Sequence, residues 1–280
     1  MAGVVVVVFD FDKTIIDCDS DNWVVDEFGL THSFNQLCPS MPWNTLMDKM
    51  MMEMHSLGKT MEEVAECLKL APIHPNMISA IKSAYNSGCD LRILSDANTF
   101  FIETILKHHG LMDCFSEINT NPSFVDESGR LRILPYHDFN SSCHGCSICP
   151  PNMCKGMVIE RIRASVSAER KKRFIYLGDG AADFCAGLKL NEEDCFMPRK
   201  NFPIWELIQT NPILVKSGIH EWSDWDELRT KLLNLTDTII VEEKCCNLGS
   251  EELVPPDCKF HTSSMSTTHE TFSHVLPVPH

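Results

Sequence analysis

Positive charge is scarce in this chain: 24 lysines and arginines face 39 aspartates and glutamates, for a formal net charge of −15 over 280 residues. A nucleic-acid backbone or an anionic lipid surface is bound through basic patches, so this balance excludes both as partners. Apolar runs of spanning length are missing too, since no segment approaches the ~20 apolar residues that cross a bilayer. The N-terminal valine run has no basic flank and no small-residue cleavage site, and it runs straight into Asp10, so it does not read as a signal peptide. Fourteen cysteines point toward a disulfide scaffold at first sight. They are spread through a chain long enough to bury a full core, which fits reduced thiols in the cytoplasm better. The expectation is a cytoplasmic protein whose partner is a small molecule, with its oligomeric state left open.

What is present begins at the N-terminus. Val4 to Val8 are too apolar on both faces for a half-exposed strand and read as the centre of a parallel sheet covered by helices on both sides. The run ends in Phe9-Asp10-Phe11-Asp12-Lys13-Thr14, where period-two alternation sends Asp10 and Asp12 to one side. Ligands of such sheets bind at the carboxyl ends of the strands. Two carboxylates this close repel unless one is protonated or a cation sits between them, and oxygen ligation at a phosphate site points to Mg²⁺. Taken alone, an Asp-x-Asp-x-Thr run is a modest signal, since such pairs also cap helices and line turns.

Two further strands change that balance. Leu91 to Leu94 is a short apolar run ending in Ser95-Asp96-Ala97-Asn98, and Phe174 to Leu177 is another, ending in Gly178-Asp179-Gly180-Ala181-Ala182-Asp183. Lys155 lies between them, at the start of a helix-like run through Ser165. A phosphate ester needs a nucleophile, an acid for the leaving oxygen, and positive charge or N–H donors around the transferring oxygens. A strand-end Asp pair, a strand-end Ser, a Lys and a strand-end Gly-Asp-Gly-x-x-Asp, in that order, resemble the haloacid dehalogenase superfamily of phosphohydrolases. The resemblance implies a Rossmann-like α/β fold with an inserted helical cap. It implies Asp10 as nucleophile, Asp12 as general acid and base, and Ser95 and Lys155 as holders of the phosphoryl oxygens. Asp10, the Asp12 carbonyl and Asp179 would then hold Mg²⁺, supported by Asp183.

The segments Phe9 through Asp21, Ser95 to Asn98 and Cys149-Pro150-Pro151-Asn152-Met153-Cys154-Lys155-Gly156 are similar, more narrowly, to the phosphoethanolamine/phosphocholine phosphatase family. That resemblance spans residues 4 to 235 and is strongest to plant members, some described as pyrophosphatases or as related to thiamine phosphate phosphatases. It implies Asp21 and Asp96 as substrate-recognition carboxylates. Negative charge beside a phosphate site makes chemical sense if the far end of the substrate is cationic, as in choline or ethanolamine. The expected substrate is therefore phosphocholine or phosphoethanolamine, with inorganic pyrophosphate or thiamine monophosphate as the alternative. Trp23 and Trp43 read as packing residues, with a cation–π contact to the substrate as the alternative role.

The expected core comprises residues 1–20 and 76–235, with a helical cap over 21–75. Helical spacing runs over 22–38, 43–57 and 61–70, Thr60-Met61-Glu62-Glu63 forms a capping box, and Met47, Met50, Met51 and Met54 read as packing. Residues 236–280, rich in Asn, Ser, Thr, Pro and His, read as a disordered tail. Cys143, Cys146, Cys149 and Cys154 fall within twelve residues. The expectation is reduced thiols in a loop that positions Lys155, with structural zinc and a disulfide or redox role as alternatives.

Overall fold

The computed structural model describes residues 5–139, 142–166 and 172–248. The valine run forms β1 (Val5–Phe9), with every residue buried. The chain then leaves the sheet for four helices, α1 (Ser20–Glu27), α2 (Thr31–Leu37), α3 (Trp43–Ser56) and α4 (Met61–Lys69). Helix α5 (Pro75–Asn86) returns it to β2 (Asp90–Asn98) and α6 (Thr99–His108), and β3 (Phe115–Asn121) leads to a hairpin of β4 (Ser123–Val125) and β5 (Leu131–Ile133). A long loop then precedes α7 (Lys155–Val166), β6 (Arg173–Gly178), α8 (Ala181–Gly187), β7 (Cys195–Pro198), α9 (Pro203–Thr210), β8 (Gly218–Ile219) and α10 (Trp225–Leu248).

Six strands make one sheet in the order β3-β2-β1-β6-β7-β8, and every pairing in it is parallel. β1 sits in the middle, between β2 and β6, as its unbroken apolar sequence predicts. Its alternation divides the core. Val5, Val7 and Phe9 join residues of α5, α6 and α10 on one face, while Val6 and Val8 join α7 and α9 on the other. Burial of each such side chain stabilises by roughly 1.5–3 kcal/mol before chain entropy is counted. Because the strands run the same way, Asp10, Ser95 and Asp179 emerge at one edge from three neighbouring strands.

The helical block between β1 and β2 has its own interior of Phe34, Leu46, Met47, Met50, Met51, Met54, Val64 and Leu68, continuous with the first face of the sheet. The Thr60–Glu63 capping box forms as read, and all four methionines pack. The single helix expected over 22–38 is instead two. It breaks at Phe28-Gly29-Leu30, where Gly29 takes φ 71°, a left-handed conformation that ends helices and suits glycine. The hairpin, with strands of only three residues, joins this block: Asp48 on α3 accepts from Arg132 Nε at 3.0 Å and from the Ile133 N–H at 2.9 Å.

The tail boundary at 236 is corrected, because α10 continues to Leu248. Leu228, Leu232, Thr236 and Ile239 form a buried stripe at helical spacing, and the Thr236 hydroxyl donates within the helix to the Leu233 carbonyl at 2.9 Å. That bond lets a polar residue occupy the buried face. The rest of the proposed tail, 249–280, lies outside the described residues. Among the described residues no helix is long and apolar enough to cross a membrane.

Candidate active site

At the carboxyl edge of the sheet lies a cavity of about 500 Å³ lined by Asp10, Asp12, Asp21, Ser95, Asp96, Lys155, Asp179 and Asp183, together with residues the sequence reading had not singled out for it. All eight expected site residues therefore meet in one place. Each is delivered by a local device. Asp10 follows the last residue of β1, and its Oδ1 accepts from the Phe11 N–H at 2.7 Å. Ser95 lies in the last turn of extended chain in β2, where the pairing to β3 shifts register. Asn98, not Ser95, caps α6 by accepting from the Phe101 N–H at 3.1 Å. The serine hydroxyl is left to the cavity side, where it accepts from the Ala97 N–H at 3.2 Å.

Lys155 is the first residue of α7 and is 3% exposed. Its Nζ lies 2.9 Å from Asp10 Oδ1 and 2.8 Å from Asp183 Oδ1. Burial works to lower its pKa, but the charges of Asp10 and Asp183 outweigh it and hold the amine well above its ordinary value. Asp183 is fully buried and saturated. Its Oδ1 also accepts from the Tyr176 hydroxyl at 2.5 Å, and its Oδ2 accepts from the N–H groups of Asp179 at 3.2 Å and Gly180 at 2.8 Å. With both oxygens engaged, Asp183 fits the role of buttress: it places Lys155 and caps α8.

The carboxylates of Asp10, Asp179 and Asp183 approach within 4.8 Å of one another. Burial, then the Asp183 charge, pushes Asp10 well above the usual carboxylate range, and the same two causes raise Asp179 to about 6. Three acids with one lysine form an all-oxygen set short of positive charge, which fits a hard divalent cation. Asp12 stands slightly apart, its Oδ1 accepting from the Ser20 N–H at 2.9 Å. Burial and then the charge of Asp19 lift its pKa to about 7. An acid with that pKa can give a proton and take one back near neutrality.

The outer part of the cavity is different. Asp21, 4% exposed, accepts from the Trp43 indole N–H at 2.7 Å through Oδ2, while its Oδ1 has no hydrogen-bond partner. Asp96 Oδ1 is buried and unpartnered as well. Burial is the first cause that raises both groups, followed at Asp21 by the Asp19 charge and opposed at Asp96 by that of Lys155. Trp43 stands at the cavity, whereas the Trp23 indole donates to the Cys67 carbonyl at 3.1 Å and does not line it. Lys13, at φ 54°, also lines the mouth.

Tyr176 is a functional neighbour that the sequence hid, since it reads as filler in the apolar run of β6. Arg199 is another: it donates to the Lys13 carbonyl and, at 2.8 Å, to Asp17 Oδ1, bracing the loop after Asp10. Of the four loop cysteines, Cys143 is exposed and stands apart, while Cys146, Cys149 and Cys154 meet Cys185 of α8.

A family described as Putative Phosphatase matches residues 5–236. The chain belongs to that family. It is 56% identical over 271 residues to Inorganic pyrophosphatase 1 of Arabidopsis thaliana, covering 96% of this chain and 91% of that one. It is 30% identical over 238 residues to the Phosphoethanolamine/phosphocholine phosphatase of Homo sapiens, covering 80% and 86%. A solved phosphoserine phosphatase with a phospho-aspartyl intermediate analogue has TM-score 0.51 at 16% identity, over 80% of this chain and 96% of that one, which establishes the fold. As a member of this family the chain is a hydrolase, a phosphatase of the haloacid dehalogenase type. The expectations drawn from the strand-end motifs hold for family, fold and enzyme class.

Proposed function

We propose that this phosphatase hydrolyses small phosphate monoesters with a cationic leaving group, phosphocholine or phosphoethanolamine, in a Mg²⁺-dependent reaction through an aspartyl-phosphate on Asp10. The observation that carries the reading is the pair of buried, unpartnered carboxylate oxygens, Asp21 Oδ1 and Asp96 Oδ1, in the same cavity as the phosphoryl machinery. A buried carboxylate without a partner is destabilising, and an ammonium group supplied by the substrate removes that penalty. The indole of Trp43 holds Asp21 in place beside it.

Each residue then has a task. Both donors to Asp10, the Phe11 N–H and Lys155, take Oδ1, so Oδ2 is the oxygen that attacks phosphorus. The P–O bond to the leaving group breaks and Asp12 gives its proton to the departing alkoxide. Asp12, now a carboxylate, takes a proton from water as the water oxygen attacks phosphorus, releasing phosphate and regenerating Asp10. An ammonium has three N–H donors; Lys155 spends two on Asp10 and Asp183, and the third meets a phosphoryl oxygen, with Ser95 meeting another. Asp10, Asp179 and the Asp12 carbonyl would hold Mg²⁺, which when bound supplies positive charge to the transferring oxygens. Helices α1 to α4 serve as the cap, carrying Asp21 and Trp43 over the site and excluding water.

Pyrophosphate is the second reading, favoured by the name of the 56%-identical relative and by Lys13 at the cavity mouth. On that reading Asp21 and Asp96 would receive a cation carried in with the second phosphate. The test compares kcat/KM for phosphocholine, phosphoethanolamine, thiamine monophosphate and pyrophosphate, each with Mg²⁺, in wild type, Asp96→Asn and Asp21→Asn. Cationic esters should lose roughly ten- to a hundredfold, corresponding to about 1.5–3 kcal/mol for a charge-assisted contact, and pyrophosphate less. Equal losses on all four would overturn the cationic reading and move pyrophosphate ahead.

A further inference from the structure

The sulfur atoms of Cys146, Cys149, Cys154 and Cys185 all lie within 4.8 Å of one another, with three of these residues buried and Cys146 half-buried. Cys146 Sγ is 3.7 Å and Cys154 Sγ 3.8 Å from Cys185 Sγ. These separations are far beyond the roughly 2.05 Å of a disulfide. They match the edge of about 3.8 Å that a tetrahedron built on ~2.3 Å zinc–sulfur bonds must have.

Contact between packed thiols can also give such distances, so the surroundings decide. The two-residue spacing from Cys146 to Cys149 forms a turn in which the Ile148 and Cys149 N–H groups point at Cys146 Sγ, at 3.4 and 3.5 Å. The first amides of α7 lie beside the other three: those of Lys155, Gly156 and Met157 favour the thiolate forms of Cys149, Cys185 and Cys154 respectively. Each sulfur thus has a backbone amide beside it, the outer-sphere pattern that supports thiolate ligands. Four thiolates crowded together require a cation, and a tetrahedral all-sulfur set suits a soft one. None of the four lines the active-site cavity, and four protein ligands fill a tetrahedral shell with no position left for a substrate.

We propose that Cys146, Cys149, Cys154 and Cys185 form a closed structural zinc site. The fourth ligand comes from α8, 31 residues beyond Cys154, which is why the loop cysteines look like an incomplete set in the sequence. The site's effect reaches the chemistry through sequence neighbours. Cys154 immediately precedes Lys155, and Cys185 lies two residues after Asp183, so the metal fastens the start of α7 to α8 where the lysine meets its buttress. Gly156 permits the approach, since a Cβ there would lie 2.7 Å from Cys185 Sγ.

The experiment uses the full chain, expressed with zinc in the medium and purified without chelator. Elemental analysis should find about one zinc per chain, released when a mercurial reagent blocks the thiols. Exchange with Co²⁺ should give thiolate-to-cobalt charge-transfer bands and the intense visible absorption of a tetrahedral sulfur centre. Cys185→Ser and Cys154→Ser should each fall to under about a tenth of the wild-type zinc content, while Cys143→Ser keeps it. Should the serine variants not accumulate as folded protein, the cobalt spectrum of the wild type decides: sulfur charge transfer supports the site, and its absence overturns it. Zinc retained in folded Cys185→Ser would place the metal at the carboxylates and overturn the proposal. Iron in place of zinc, or a disulfide within the loop found by mass spectrometry, would do the same.

Discussion

Two clusters of acidic groups share the contact between α7 and α8, and they differ in donor atom, counter-charge and access. The carboxylates of Asp10, Asp179 and Asp183 open on a cavity of about 500 Å³ and include a lysine of their own. The thiols of Cys146, Cys149, Cys154 and Cys185 do not line that cavity, and backbone amides of the Cys146–Cys149 turn point at Cys146 Sγ. A site that turns substrate over must keep a ligand position free, whereas a site that only holds chain segments together closes around its ion. The same two helices can carry both because consecutive residues divide the duties: Cys154 joins the sulfur cluster and Lys155 lines the active-site cavity.

The largest effect should come from breaking the oxygen side alone. Asp10→Asn keeps the shape and removes the charge of the proposed nucleophile, so turnover should fall by at least about a thousandfold with the fold and the thiol cluster intact. Brief EDTA treatment should likewise silence the enzyme, and Mg²⁺ alone should restore it, because the oxygen cluster is open and the sulfur cluster is closed. Steady-state kinetics and zinc content measured on the same samples check both. Activity within tenfold of wild type in Asp10→Asn would remove Asp10 as nucleophile. Recovery that needs Zn²⁺ in addition to Mg²⁺ would show the two clusters to be equally accessible.

The two clusters also differ in how much of them the sequence revealed. Asp10, Ser95 and Asp179 are legible because each comes just after an apolar run, and parallel strands must bring the ends of those runs to one edge. Cys185 is not legible, because no spacing rule connects a cysteine inside α8 to a loop 31 residues earlier. Tyr176 fails for the opposite reason. It sits in the most regular part of the pattern, and only the fold shows that its hydroxyl reaches Asp183. The errors outside the site have local causes. Gly29 interrupts a helical period that the apolar residues alone continue, and Thr236 hides a buried stripe because its hydroxyl is satisfied within its own helix. The β4–β5 hairpin is too short to show alternation, and its place depends on Asp48 of a distant helix.

A smaller effect, felt on both sides, should follow Gly156→Ala. The new methyl would meet Cys185 Sγ at 2.7 Å and the Cys185 carbonyl oxygen at 3.0 Å. The sulfur belongs to the proposed metal site and the carbonyl is backbone, so α7 must move away from α8 by a few tenths of an ångström. Overpacking of this kind costs about 1–3 kcal/mol. The melting temperature should drop, and the zinc content and kcat should fall together, by a few-fold each, because the movement also lengthens the contact from Lys155 to Asp183. A drop in kcat with full zinc content would separate the clusters mechanically and leave the helix contact as a matter of packing alone.

The smallest and most local effect is expected from Tyr176→Phe. The ring is fully buried and packs against Phe196 at 6.1 Å between centroids, and phenylalanine preserves that packing. Only the hydroxyl is lost. Burial first, then the charges of Asp183 and Asp10, holds the phenol pKa well above its ordinary value, so in wild type it remains a donor to Asp183 at any working pH. Without it, Asp183 Oδ1 keeps Lys155 as its one side-chain donor and Oδ2 keeps its two amides. A hydrogen bond to a charged group contributes about 1.5–3 kcal/mol, most of which should appear as lost stability. Because Lys155 can swing further toward Asp183 and away from its proposed phosphoryl partner, kcat should fall about two- to tenfold with KM nearly unchanged. Zinc content should stay at the wild-type level, since the hydroxyl touches no sulfur. A loss beyond a hundredfold would mean that Tyr176 acts on the reacting atoms themselves. No loss at all would mean that Lys155 and the amides of Asp179 and Gly180 fix Asp183 without the phenol hydroxyl.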